Sequence, residues 1–182
     1  MPPLFETVTD LHGERDRIRR RRYGVIEVRD GRFLQIRMRP FPKFISGLEI
    51  LIQRRWRRRR EQGEGCLVFY DQPSRFPNFL AVKYVVSRVG TTYGSIRTAA
   101  RVLDEIARIK GTDALLCDAA NPRISDRLLR RWGWESHRPQ RWRRNYIKRF
   151  YGEYPEPFNP WAEEETPVAN EATLDAVAPV AD

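Results

Sequence analysis

Tyr84-Val85-Val86-Ser87-Arg88-Val89-Gly90-Thr91-Thr92-Tyr93-Gly94-Ser95 is the stretch on which the fold turns. An apolar run leads into a turn of Gly and Thr, and an amphipathic helix follows as far as Lys110. After it come a short apolar strand, Ala114-Leu115-Leu116-Cys117-Asp118, then Asn121-Pro122 and a second helix closing in Trp132-Gly133-Trp134. A strand, a small-residue turn and a helix form a natural anion site, because free backbone N–H groups and the helix dipole point at one spot.

Working outward, Ser95 to Lys110 is the strongest helix in the chain. Ile96, Ala99, Ala100, Leu103, Ile106, Ala107 and Ile109 mark its buried side, and Arg97, Arg101, Asp104, Glu105 and Arg108 its wet side. Gly111 is a helix stop. The centre of 113–119 is continuously apolar, as in a strand buried on both faces. Ser125 to Trp132 reads as a helix with Ile124, Leu128, Leu129 and Trp132 inward, and 141–150 alternates weakly as a last strand. Upstream, Tyr23–Arg29 and Phe33–Met38 flank Asp30-Gly31, a strong hairpin signal. Pro40 and Pro42 end that sheet segment. Phe44 to Arg60 has one apolar stripe and reads as a helix, while Cys66–Tyr70 and Phe79–Arg88 read as strands around a Pro-containing loop. Residues 1–13 read as loose, Glu14 to Arg22 as a basic helix, and the tail from Gly152 as disordered, with Tyr154, Phe158 and Trp161 as candidates to dock back. The expected organisation is a basic segment 1–22, an α/β domain 23–151 and an acidic tail 152–182.

The 182 residues suffice for one domain with tails. No run of eighteen apolar residues suggests a transmembrane helix, and the first residues do not have the pattern of a signal peptide. The two cysteines, Cys66 and Cys117, sit in apolar runs and read as core thiols, which points to the cytoplasm. Charge is asymmetric. Eight of the 24 acids lie from Glu153 onward, where there is no Lys or Arg, which leaves sixteen acids against 34 bases before them, a balance of +18. A body this basic attracts RNA, DNA, anionic lipid or a phosphorylated cofactor.

From about Phe33 to Phe150 the order of elements, the strand–turn–helix, the Asn-Pro and the Gly-Trp resemble the GCN5-related N-acetyltransferase (GNAT) superfamily. The resemblance implies a GNAT-like α/β fold, a mixed, mostly antiparallel twisted sheet flanked by helices, with acetyl-CoA as cofactor. In that family a long strand splays from its neighbour to admit pantetheine, and the following turn holds the pyrophosphate on backbone N–H groups. Gly94 matches the central glycine of that turn, Asn121 the family Asn, and Gly133-Trp134 the family Gly-Phe. Thr91 stands where Gln or Arg is usual, Ile96 where a small residue is usual, and Leu129 where a Tyr general acid is usual.

The implied reaction is attack of an unidentified amine on the acetyl thioester. By this resemblance backbone N–H groups of the splayed strand at Val85, Val86 and Ser87 polarise the thioester carbonyl. Thr91, Thr92, Tyr93, Gly94, Ser95, Ile96 and Arg97 hold phosphate, and Asn121 completes the cofactor site. No residue is assigned as general acid or base; Tyr84, Tyr93, Ser87, Glu27 and Glu49 qualify by type only. His12 and His137 lack partners at metal-ligand spacing, so no metal is expected. The competing reading is an inactive GNAT-like module that binds nucleic acid or another polyanion. It rests on arginines interleaved with aromatics: Arg54, Arg55, Trp56, Arg57, Arg58, Arg59 and Arg60, and Trp142, Arg143 and Arg144. The sequence leaves oligomeric state and acyl acceptor open.

Overall fold

Alternating apolar and polar residues build strands, and here the strands form one sheet. The computed structural model describes residues 6–39, 64–87, 90–119, 124–138 and 144–159. In chain order the elements are β1 (Glu6–Val8), α1 (Arg15–Arg20), β2 (Tyr23–Arg29), β3 (Arg32–Arg39), β4 (Gly65–Asp71), β5 (Phe79–Ser87), α2 (Tyr93–Lys110), β6 (Ala114–Asp118), α3 (Asp126–Arg131), β7 (Glu135–Ser136) and β8 (Asn145–Arg149). The eight strands make a twisted, open sheet in the order β1-β3-β2-β4-β5-β6-β8-β7. All described pairings are antiparallel except β5 with β6. The architecture is thus the expected mixed, mostly antiparallel α/β sheet flanked by helices. The expected helix over Phe44–Arg60 lies outside the described residues.

The β2–β3 hairpin turns at Asp30 and Gly31, with φ of 50° and 74°. Two positive φ angles match the right-handed twist of the strands, which is why Asp-Gly is favoured there. The same turn touches α2: the Gly31 N–H donates to Ser95 Oγ at 2.9 Å and Thr98 Oγ1 donates to the Gly31 carbonyl at 2.7 Å. Ile18 of α1, Leu129 of α3 and the apolar side of α2 meet Ile26, Val28, Ile36, Val68, Leu80 and Leu115 of the sheet in one core. On the other face Val25, Leu67 and Phe69 form a second buried cluster with Val86 against it.

Three expectations change. Residues 6–12 are not loose: β1 pairs with β3, and Val8 and Leu11 are fully buried. The basic segment 1–22 therefore belongs to the same body as the domain in its described part. Glu105 is not on the wet side of α2 but 2% exposed. It is held by Arg108, by the Phe158 N–H at 3.3 Å and by His12 Nδ1 at 3.6 Å. That contact also replaces the reading of disorder over 152–159, where Tyr154 and Phe158 dock back as the sequence had offered; Trp161 lies outside the described residues. Phe158 is buried under the Arg101 guanidinium, 4.6 Å from its ring centroid, and Tyr154 Oη donates to the Thr112 carbonyl at 2.9 Å. Lys110, at the end of α2, donates to the Arg21 carbonyl at 2.7 Å and to Gln72 Oε1 at 3.0 Å. Burial and the Arg22 charge pull its pKa down to about 8.

Candidate functional site

The site begins with a break in the sheet. β5 and β6 run parallel over four residue pairs, Phe79↔Ala114 to Val82↔Cys117, and then separate. At that point β5 carries an extra residue: Phe69 pairs with Tyr84 and Tyr70 with Val82, so Lys83 is bulged. A bulge bends and twists its strand, and this one falls just where the pairing with β6 stops. Among the described residues, none of β6 pairs with β5 beyond Val82.

Beneath the opening, between the sheet and the helices, lies a cavity of about 280 Å³. Ile96, Ala99, Ala100 and Leu103 of α2 line one wall, and Leu129, Trp132 and Trp134 another. Val68, Val82, Val85 and Cys117 line the sheet side, with the exposed Lys83 and Asp118 also at its border. Burial, with Asp118 beside it, pushes the Cys117 thiol up to about 12, and burial does the same to Cys66. Neither is a nucleophile at neutral pH. Above the cavity Trp132 Nε1 donates to Tyr93 Oη at 3.0 Å, and the two rings lie 5.5 Å apart, joining the start of α2 to the end of α3.

The turn before α2 has a different state from the one expected. Thr92 caps the helix, its Oγ1 accepting the Ser95 N–H at 3.4 Å, and the Ile96 N–H points to the Thr92 carbonyl at 3.5 Å. Two of the N–H groups expected to hold phosphate are therefore used within the turn. A carboxylate already sits there: Glu64 accepts the Thr92 N–H, Thr92 Oγ1 at 2.7 Å and Ser95 Oγ at 3.1 Å. Glu64 lies just ahead of β4, and the antiparallel β4–β5 pairing carries it to the end of β5 where α2 begins. Sequence reasoning missed it because that proximity follows from strand register alone.

The remaining expected residues divide. Val85 lines the cavity, and so does Ile96, the residue that stands where a small one is usual. Val86 packs on the opposite face, and Ser87 is exposed opposite Cys66. Thr91 Oγ1 donates to the Gly65 carbonyl at 2.9 Å, and Ser95 is fully buried. Gly94 and Arg97 are exposed. Asn121, Glu49, Arg54–Arg60 with Trp56, Trp142 and Arg143 lie outside the described residues. Arg144 is tied to Asp126, to the Ile124 carbonyl at 2.9 Å and to Tyr146 Oη at 3.2 Å. The hydrogen bond from Tyr146 and the one from Arg144 hold the Asp126 carboxyl below its usual range. Glu27 is buried on the face of Val25, held by Arg29 at 3.1 Å and Gln35 at 2.9 Å. Among the described residues no group of three or more His, Cys, Asp or Glu is placed to hold a metal ion, and no helix is long and apolar enough to cross a membrane. No protein-family model, curated protein or solved structure matches the chain.

Proposed function

We propose that this protein is a GNAT-like N-acyltransferase that takes an acyl group from acyl-CoA and passes it to an amine, acting in the cytoplasm. The observation that carries the reading is the parting of β5 from β6 over the cavity, with the start of α2 at its mouth. A pantetheine arm is slender and carries amides. The open β5 edge offers backbone partners for those amides, and the apolar cavity beneath it offers room for the acyl group. Phosphates would meet the first turn of α2, where Glu64 has to swing away before they bind. The thioester supplies the acyl group; the amine nitrogen bonds to the acyl carbon as the C–S bond breaks, one proton leaves the amine for solvent and one returns to the sulfur. Leu129 faces the cavity and cannot protonate that sulfur, so water takes the acid role.

Calorimetry of the full chain with acetyl-CoA in moderate salt tests this, with Gly94→Trp as control. A Cβ at Gly94 would meet only Thr92 Oγ1, at 3.6 Å, so the fold tolerates a side chain there, while an indole obstructs the turn. The expected result is saturable binding that the variant loses. Binding indifferent to the substitution would sink the reading. The polyanion-binding reading then leads, and its test is a salt-dependent affinity for RNA.

A further inference from the structure

The cavity is larger than an acetyl group requires, and its walls are of the wrong kind for pantetheine. At roughly 30 Å³ per water-sized group, an acetyl group would fill about a third of the 280 Å³. The cavity follows α2 from Ile96 to Leu103, a depth of about 10 Å along the helix axis. Its sides are the methyl and methylene groups of Ala99, Ala100, Leu103, Val82 and Leu129, with the Trp134 ring among them. Amides placed against such walls would lose their hydrogen bonds at a cost. Pantetheine therefore belongs in the plane of the sheet, along the open edge of β5, and the space below suits hydrocarbon.

The chain direction gives the order. β5 ends near the start of α2, where phosphates would lie, so a pantetheine arm runs back along β5 toward Lys83, and its sulfur arrives where β5 and β6 meet at Val82↔Cys117. Both residues line the cavity. An acyl group attached to that sulfur has one apolar exit, downward. We infer that the acyl donor carries a medium-length hydrocarbon chain of roughly six to ten carbons, seated in this cavity. The inference rests on the acyl-CoA reading and names its donor class.

A chain-length series tests it. Affinities of the full chain for acetyl-, butanoyl-, hexanoyl-, octanoyl- and dodecanoyl-CoA are measured by calorimetry, below micelle-forming concentrations. Affinity rises by about fourfold per methylene to roughly eight carbons and then stops rising. Ala100→Leu fills the space and flattens the rise; Ala100 is only partly buried, so the fold can absorb the change. Leu103→Ala, the second variant, deepens the space and moves the optimum to a longer chain. Equal affinity for acetyl- and octanoyl-CoA overturns the inference and leaves acyl-CoA binding standing, as does a series that neither variant alters. Absence of binding by every CoA removes the acyl-CoA reading itself.

Discussion

Glu64 sets a carboxylate against the first turn of α2, bonded to the Thr92 N–H and to the hydroxyls of Thr92 and Ser95. A negative charge at a helix N-terminus is favourable, and this one occupies the space and the donors that a phosphate would use. Replacing Glu64 by Ala should therefore tighten CoA by about tenfold, an effect of 1–2 kcal/mol. It should leave pantetheine, which has no phosphate, unchanged; calorimetry with both ligands checks it, and equal gains for the two would discard competition as the cause. The turn itself was legible, because Thr92, Gly94 and the helix pattern after them are local signals. Glu64 was not, since nothing within ten residues of it refers to α2. Glu105 shows the same limit from the other side. Its spacing puts it beside Asp104 and Arg108, and it is buried only because Phe158 and His12 arrive from the two ends of the chain to cover it.

At the scale of elements, local periodicity located β2, β3, β4, β5, α2 and β6 to within a residue or two. The Asp30-Gly31 hairpin followed from two residues that accept positive φ. What periodicity left out were pieces too short to show a period, β1 with three residues and β7 with two, and the segment of Phe158 was marked only by its aromatics. The bulge at Lys83 was hidden too, since it exists only as a mismatch between two strands. The segment around Phe158 makes a stability prediction. Phe158 is 7% exposed, its ring lies beneath Arg101, and its backbone N–H is bonded to Glu105. Phe158→Ala should lower the unfolding free energy by about 3 kcal/mol, read as a drop in urea midpoint. A change within experimental error would mean that this segment does not hold the body together.

Across the whole molecule, the buried thiols tie stability to alkaline pH. Cys66 and Cys117 are raised from 9.0 to about 12 in the folded chain. Between those values the unfolded chain releases the thiol protons and the folded chain keeps them. Their contribution is thus intact below pH 9 and is lost as pH rises toward 12. Lys110 acts in the opposite sense: lowered from 10.5 to about 8, it sheds its proton in the folded chain first, so its contribution improves with pH over that range. The test is the difference between the parent chain and Cys117→Ala in urea midpoint from pH 8 to 10.5, where the variant should decline less steeply. Parallel curves would mean that the thiol ionises equally in both states.

The sheet consists of two antiparallel blocks, β1-β3-β2-β4-β5 and β6-β8-β7, sewn along four parallel residue pairs. Under tension those blocks can unzip from the end where the pairing stops, with Val82 and Cys117 the first stitch to give. A molecule wedged above that stitch grips both blocks at once. A ligand bound there would thus also fasten the seam, and the mechanical strength of this sheet would rise with its occupancy.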